Sequence, residues 1–163
     1  MSVDGDRSIN LERWRDMKIS TKGRYGLRIL LDVALHQERG PVALSEIARR
    51  QALSQKYLWQ VINPLKTAGF LRATRGTQGG YVLARTPDEI TVRDMVEVLE
   101  GSVSLVACVT DPKTCERSVD CTARGVWAEI ETKLNATMSG ITLKDIVLRH
   151  KESESLSGPS YTI

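Results

Sequence analysis

Residues 44–84 contain two short stretches with helical periodicity, a tight turn between them, and two β-prone stretches around a glycine-rich tip. Apolar residues recur at helical spacing in the first two stretches, and Ser54 is placed to cap the second. The tip, residues 75–80, contains three glycines, as expected of a hairpin turn. This order is typical of a winged helix-turn-helix, so the sequence predicts a mainly α fold with a small β-hairpin wing. The predicted elements are helices over 44–50 and 55–68 and strands over 70–74 and 81–84.

Further helices are predicted on both sides of this unit. One spans about 21–37 with Ser20 as its N-cap, one spans 92–100, and a long one spans 122–138. Thr142 is placed to cap a last short helix that ends near Arg149. The sequence therefore predicts five segments: a disordered or over-extended N-terminus over 1–16, a DNA-binding domain over 17–101, a cysteine-bearing loop over 102–121, the long and short helices over 122–150, and a disordered tail over 151–163.

Charge is distributed unevenly along the chain. Residues 17–85 hold 12 Lys/Arg and 3 Asp/Glu, whereas residues 86–163 hold 8 Lys/Arg and 13 Asp/Glu. A stretch of 69 residues with a net charge of +9 attracts polyanions. Double-stranded DNA is therefore the expected partner of the first half of the chain.

Hydropathy gives no indication of a membrane partner. No apolar run approaches the roughly 18 residues that span a bilayer, and the first residues lack the apolar region of a secretory signal. A cytoplasmic location is the resulting expectation, and a reducing compartment disfavours disulfides.

The second helix of a helix-turn-helix presents its first residues to base edges in the major groove. A cation at a wing tip can enter a minor groove, and cations on the first helix can grip phosphates without reading sequence. Winged helices also serve as protein-interaction modules, but the polar second helix and the positive charge favour DNA. A phosphate-binding loop is disfavoured because the tip lacks a Gly-Lys-Ser/Thr ending. The predicted DNA-binding residues are Ser54, Gln55, Lys56, Tyr57 and Gln60 on the second helix, Arg75 and Gly76 at the wing tip, and Lys22, Arg24 and Arg28 on the first helix.

All three cysteines of the chain lie within fourteen residues, as Cys108, Cys115 and Cys121. Thiolates close together in sequence can hold a metal centre at small entropic cost. The spacing of the cysteines is compatible with four roles: ligands of an iron–sulfur cluster, ligands of a structural zinc together with a carboxylate, a thiol–disulfide switch, and plain small hydrophobic residues. Catalysis by a cysteine nucleophile is disfavoured because neither His36 nor His150 is near in sequence, so no enzyme activity is predicted.

Four motifs together resemble the Rrf2 family of bacterial winged-helix transcriptional regulators. They are MKISTKGRYGL from residue 17, ALSEIARRQALSQKYLWQVINPLKTAGFL from residue 43, RGTQGGYVLA from residue 75 and ITVRDMVEVLEG from residue 90. The resemblance covers about residues 17–149 and is to the IscR type, an iron–sulfur regulator, and to the CymR type, a repressor of cysteine metabolism.

This resemblance implies a homodimer paired through the helix over 122–138, with Val126, Ile130 and Leu134 along the seam. IscR-type members carry three cysteines in the same loop, so the resemblance implies an iron–sulfur cluster. The resemblance to the IscR type favours [2Fe–2S], although three cysteines also fit [4Fe–4S]. CymR-type members lack these cysteines and bind a partner enzyme. A repressor controlled by such a protein partner is therefore the alternative function.

The chain departs from the IscR-type pattern at three positions. Arg124 stands where the fourth ligand, a histidine, is expected, and a guanidinium cannot ligate. Arg24 stands where some relatives place an acidic ligand from the partner subunit, and Trp59 replaces a glutamate that is associated with choosing between operator classes. The first gap between cysteines is also one residue longer. The candidates for the fourth ligand are Asp120, Glu116, Asp111, a carboxylate of the partner chain, an exogenous thiol, or water.

Overall fold

The structure is a computed structural model that describes residues 19–76 and 78–156. The expectations for residues 1–16 and for the end of the tail lie outside these ranges. The chain forms α1 (Thr21–His36), α2 (Leu44–Gln51), α3 (Gln55–Thr67), β1 (Leu71–Thr74), β2 (Gly80–Leu83), α4 (Val92–Glu100), α5 (Ala107–Thr110), α6 (Thr122–Ser139) and α7 (Leu143–Leu156). Short 3₁₀ turns lie at Gln37–Arg39, Pro87–Glu89 and Pro112–Thr114. The predicted mainly α fold with a β-hairpin wing is confirmed.

Helix α1 lies at the centre of the core. It contacts α2, α3, α4, α7 and the second strand of the wing. Its apolar face is completely buried, as are the inward residues of α3, and each such side chain contributes roughly 1.5–3 kcal/mol by leaving water. The fully buried residues of these two helices are Ile29, Leu30, Val33, Leu58, Val61, Ile62 and Leu65.

The wing is held against the segment before α2. Its two strands pair antiparallel, from Leu71 opposite Leu83 to Thr74 opposite Gly80. Val42 exchanges two backbone hydrogen bonds with Tyr81, at N···O distances of 2.9 and 2.8 Å. A side chain at Gly80 could not fit there, because its Cβ would lie 2.4 Å from the carbonyl oxygen of Val42. The wing is therefore a fixed part of the domain.

The end of α6 packs on the domain, whereas its beginning does not. Met138 is buried, but Val126, Trp127 and Ile130 are 53%, 44% and 42% exposed. At about 1.5 Å per residue the 18-residue helix is roughly 27 Å long. Among the described residues, no helix is both long enough and apolar enough to cross a membrane.

Helix α7 corrects two expectations. Its predicted end near Arg149 is wrong, because the helix continues to Leu156. Residues 151–156, expected in the disordered tail, form its last turns. The Ser/Glu-rich composition that indicated disorder is compatible with an exposed helix, in which His150 and Glu154 approach to 3.4 Å one turn apart.

Candidate functional site: a DNA-reading surface and a cysteine segment

Helix α3 presents a polar face to solvent. Ser54 caps the helix as predicted, because its side chain accepts a hydrogen bond from the backbone N–H of Tyr57 at 3.2 Å. Gln55, Lys56 and Gln60 are exposed, while the opposite face of α3 is buried in the core. The structure thus leaves three of the predicted base-reading side chains accessible and uses the Ser54 hydroxyl within the helix cap.

Tyr57, another predicted DNA contact, packs between α3 and α1. Its ring meets the ring of Tyr25 edge to face, with 5.8 Å between centroids. The guanidinium of Arg28 lies 5.1 Å from the centroid of Tyr25, and its Nε donates a hydrogen bond to Oε1 of Gln51 at 2.8 Å. Tyr57 and Arg28 therefore join α1 to the helix pair, besides facing solvent in part.

The remaining predicted DNA-binding residues occupy the start of α1 and the wing. Lys22 is half-buried, and Arg24 is exposed and donates a hydrogen bond to Oγ1 of Thr21 at 3.2 Å. Arg75 and Gly76 are exposed at the tip of the hairpin, where Gly76 has a φ of +118°. Because a φ in this region favours glycine, the conformation of the turn accounts for a glycine at position 76 without a contact to DNA.

Trp59, which departs from the pattern of the resembled family, is 47% exposed on α3. The ammonium of Lys66 lies 5.6 Å from the centroid of its indole ring, within the range of a cation–π contact. An exposed indole beside Gln60 gives this exposed face of α3 an apolar component.

A buried ion pair fixes α2 against α1, and the sequence analysis did not identify it. The side chain of Asp32 is 2% exposed and accepts hydrogen bonds from Arg50, with Nη2 at 2.6 Å and Nε at 2.9 Å. Nε2 of Gln51 donates to the same carboxylate at 2.8 Å. These hydrogen bonds raise the pKa of Arg50. In the sequence, the feature that could have indicated this ion pair is an aspartate within the apolar face of α1.

A second carboxylate caps the start of α1. Oε1 of Glu100, the last residue of α4, accepts hydrogen bonds from the backbone N–H and the hydroxyl of Ser20 and from the N–H of Gly23, at 3.1, 2.6 and 3.0 Å. The hydroxyl of Ser20 in turn accepts from the N–H groups of Lys22 and Gly23, which confirms the predicted N-cap. A negative charge at a helix N-terminus is favourable, so Glu100 binds α4 to α1.

The three cysteines lie on the segment that joins α4 to α6. Cys108 is in α5, Cys115 follows the 3₁₀ turn Pro112–Thr114, and Cys121 is the N-cap residue of α6. None is in a disulfide; Cys115 is exposed and the other two are half-buried. Within residues 19–76 and 78–156, no three His, Cys, Asp or Glu side chains are close enough together to hold a metal ion. The donor set suits iron in chemical type, and closing the segment would have to bring the thiols together.

Two side chains of α6 hold the cysteine segment. Nε of Arg124 donates a hydrogen bond to the carbonyl oxygen of Cys108 at 2.7 Å. The carboxylate of Glu131 accepts from the N–H of Leu105 at 3.2 Å and from the hydroxyl of Ser104 at 3.3 Å. Neither contact was predicted from the sequence.

The carboxylates considered as fourth ligand are all exposed on this segment. The side chain of Asp111 accepts a hydrogen bond from the backbone N–H of Lys113 at 3.0 Å, so it caps the 3₁₀ turn. Glu116 and Asp120 lie in the turns between Cys115 and Cys121.

An apolar groove of about 800 Å³ opens where α1, α4 and α6 meet. Ile19 and Leu27 line it from one side, and Leu134 and Met138 of α6 line it from another. Leu134 lies one helical turn after the exposed Ile130, so the groove is continuous with the exposed apolar stripe of α6.

Comparison with known proteins is consistent across sequence and structure. Residues 19–149 match the profile of the Rrf2 family, described as iron-dependent transcriptional regulators. The HTH-type transcriptional regulator CymR of Bacillus subtilis is 40% identical over 130 residues, which are 80% of this chain and 89% of that protein. The HTH-type transcriptional regulator IscR of Aliivibrio salmonicida is 35% identical over 132 residues, 81% of this chain and 78% of that protein. The structure of T. potens IscR superimposes with a TM-score of 0.68 at 38% identity, covering 83% of this chain and 90% of that one.

Proposed function

The chain belongs to the Rrf2 family of transcriptional regulators, and we propose that it is a homodimeric DNA-binding regulator whose three cysteines hold an iron–sulfur cluster. The observation that carries this proposal is the position of three unpaired thiols between a DNA-reading domain and an exposed apolar helix. Membership of the family makes the protein a DNA-binding regulator and not an enzyme. The dimer, the base-reading residues and the cluster are the proposed refinements.

Recognition of the DNA base sequence is assigned to the exposed face of α3. Lys56 can reach guanine acceptors, and Gln60 can pair with adenine through two hydrogen bonds. A lost base contact costs about 1–3 kcal/mol of discrimination, so Lys56→Ala should weaken binding to a selected operator roughly 5- to 150-fold. Binding to random duplex should change far less.

The operator is obtained by selection from random duplexes, and affinities are measured at one fixed salt concentration. Lys144→Ala is the matched control, because Lys144 is exposed on α7 and its loss removes one equal charge far along the chain from α3. Equal weakening by Lys56→Ala and Lys144→Ala would reject α3 as the reading helix.

Phosphate contacts are assigned to Lys22, Arg24, Arg28 and Arg75. Such contacts set the register without reading bases, so removing one should weaken binding to every duplex and reduce the salt slope by about one unit. Arg75→Ala is the cleanest variant, since Arg75 lies on the wing tip and is exposed. Arg28→Ala also removes the hydrogen bond to Gln51 and should therefore lower stability as well. An unchanged salt slope in Arg75→Ala would remove the wing tip from the interface.

Dimerisation is assigned to the exposed stripe of α6 and the adjoining groove. A second copy can cover Val126, Trp127 and Ile130 and fill the groove lined by Leu134, because an exposed apolar patch of this kind is a typical protein interface. Two reading helices would then address two half-sites of a pseudo-palindromic operator. Ile130→Asp should give monomers in sedimentation equilibrium, with Thr132→Asp, at a polar exposed position of α6, as control. A dimer that survives Ile130→Asp would place the interface elsewhere.

Cluster binding is assigned to Cys108, Cys115 and Cys121. Thiolates are the usual ligands of iron–sulfur clusters, and a bound cluster responds to oxidants, nitric oxide and iron supply. The protein supplies three sulfur donors, which must lose their protons to ligate, and a segment anchored to the dimerisation helix. The test is the visible spectrum with iron and sulfide analysis of protein purified without oxygen, compared with the three single Cys→Ser variants. Colourless protein after anaerobic reconstitution would refute the cluster.

A second candidate is a regulator whose DNA affinity is set by a protein partner. The similarity to CymR, whose solved structure is described as that of the global cysteine regulator of B. subtilis, favours it. This candidate predicts that colourless protein binds the operator tightly and co-purifies with an enzyme. Zinc analysis and reversible disulfide formation distinguish the two remaining uses of the thiols.

A further inference from the structure

Arg124 contacts the backbone of both the first and the last cysteine. Its side-chain Nε donates a hydrogen bond to the carbonyl oxygen of Cys108 at 2.7 Å, and its own N–H donates to the carbonyl oxygen of Cys121 at 3.1 Å. Arg124 is half-buried, so water competes only partly for these groups. The residue thus links α5 to the start of α6.

The hydrogen bond from the Arg124 side chain to the carbonyl oxygen of Cys108 is of a strong and directional type. A guanidinium is always charged and planar, and charge-assisted hydrogen bonds are shorter and stronger than neutral ones. Helix α5 has four residues, and Cys108 lies inside it, so most of its carbonyl groups lack a partner within the helix. The Arg124 side chain satisfies one of them and fixes the orientation of the turn that carries the Cys108 thiol.

The first part of the cysteine segment, from Ser104 to Cys108, is therefore held against α6, whereas Cys115 is not. Glu131 holds Ser104 and Leu105, and Arg124 holds Cys108. Cys115, in contrast, has local backbone hydrogen bonds with Pro112 and Ser118, and its side chain is exposed. The cysteines differ in how firmly they are placed.

We propose that Arg124 is a positioning residue that keeps the backbone of Cys108 against the first turn of α6, whose N-cap residue is Cys121, so that the thiols of Cys108 and Cys121 need less rearrangement to come together than either needs to reach Cys115. As a statement about cluster ligands this rests on the proposed function. The placement of the thiol pair is independent of it and can be measured in metal-free protein.

The first experiment measures how fast Cys108 and Cys121 form a disulfide in a Cys115→Ser background. Diamide is the oxidant: the two thiols lose two electrons and two protons, the S–S bond forms, and diamide is reduced to the hydrazine. Peptide mapping under non-reducing conditions identifies the bond. Arg124→Gln should slow this reaction about five- to tenfold, since one charge-assisted hydrogen bond is lost.

Two variants control for charge and for folding. Arg117→Gln removes an equal charge from an exposed position on the same segment and should leave the disulfide rate unchanged. Arg124→Lys keeps the positive charge and an N–H donor but loses the planar guanidinium. Its disulfide rate should therefore lie between those of Arg124→Gln and the parent protein. Far-UV circular dichroism of each variant shows whether the helical content of the protein is retained. Equal rates for wild type and Arg124→Gln, or equal slowing by Arg117→Gln, would overturn the proposal.

The second experiment measures how long a chelator takes to remove half of the iron from reconstituted protein. Arg124→Gln should shorten this time, with Arg117→Gln as the same control. The outcomes separate the two hypotheses. If wild type never takes up iron and sulfide but its disulfide rate depends on Arg124, the cluster is refuted and the positioning role stands. If the cluster forms and neither rate depends on Arg124, the positioning role is refuted and the cluster stands.

Discussion

Replacing Asp32 should destabilise the DNA-binding domain more than any surface substitution. Its carboxylate is 2% exposed and holds Arg50 through two nitrogens, at 2.6 and 2.9 Å, and Gln51 at 2.8 Å. Removing one partner of a buried ion pair costs about 3–5 kcal/mol, because the other charge is left without compensation. The side chain of Arg50 is 21% exposed and can regain some water, so the lower end, about 3 kcal/mol, is expected for Asp32→Ala.

Equilibrium unfolding in urea measures this loss at a fixed protomer concentration, because dimerisation would otherwise contribute to the free energy of unfolding. For a chain of this size, about 3 kcal/mol corresponds to a fall in Tm of roughly 6–12 °C. Asp32→Ala/Arg50→Met is the decisive second variant. With both charges gone, the double variant should be more stable than Asp32→Ala by at least about 1 kcal/mol. A loss below about 1 kcal/mol for Asp32→Ala, or a double variant less stable than Asp32→Ala, would refute the reasoning.

Three further predictions concern stability. Gly26→Ala should cost about 1–3 kcal/mol, because its Cβ would lie 2.0 Å from Cδ1 of Leu99; Gly125→Ala, on α6 with no atom within 4 Å of a Cβ, should instead gain up to about 1 kcal/mol. Urea unfolding of both variants tests this, and losses of equal size would contradict it. Hydrogen bonds from Thr142 lower the pKa of Asp145 below its ordinary 3.8, so its stabilising effect is present above about pH 3.8 and is lost as the pH falls through the lowered pKa. The Tm of Asp145→Asn should therefore lie below that of wild type at pH 7, and the difference should shrink as the pH falls below about 3.8. A difference that stays constant over this range would contradict the capping role.

Local patterns predicted the helices well. The starts of α1, α3, α4 and α6 agree with the prediction, and each of these four helices ends within one residue of its predicted end. Apolar periodicity and caps such as Ser20 and Ser54 act within one or two turns, so the sequence displays them directly. The end of α7 differs from the prediction because a Ser/Glu-rich composition is typical of disorder, whereas His150 and Glu154 lie one helical turn apart and interact.

Contacts between distant residues were not predicted. Asp32 and Arg50 are 18 residues apart, and an aspartate in a helix is usually solvated. No side-chain pattern in the sequence predicts the backbone pairing of Val42 with Tyr81. At the cysteine segment, the three thiols and the inability of Arg124 to ligate iron are evident from the sequence, whereas the contact of the Arg124 side chain with Cys108 is not. Such pairings depend on how the helices pack, which a single sequence does not specify.

Two sets of contacts connect the cysteine segment to the rest of the protein. One is α6 itself, which carries the segment through Arg124 and Glu131 and exposes the apolar stripe assigned to the dimer. The other is α4, whose last residue, Glu100, lies just before the segment and caps α1. At its other end α1 holds α2 through Asp32 and Arg50. In the proposed dimer, the segment would therefore lie between the contacts that set the spacing of the two DNA-binding domains and those that set the orientation of the helices within one domain.

A regulator with this arrangement needs no large movement. Changing DNA affinity 5- to 150-fold requires about 1–3 kcal/mol of coupling between the two sites. A hydrogen bond contributes about 0.5–1.5 kcal/mol net, and one to a charged group about 1.5–3 kcal/mol. Glu100 accepts three hydrogen bonds from the start of α1, and Glu131 accepts two from the start of the cysteine segment. If either carboxylate kept its contacts in one state of the thiols and lost them in the other, the difference in free energy would be large enough for this coupling.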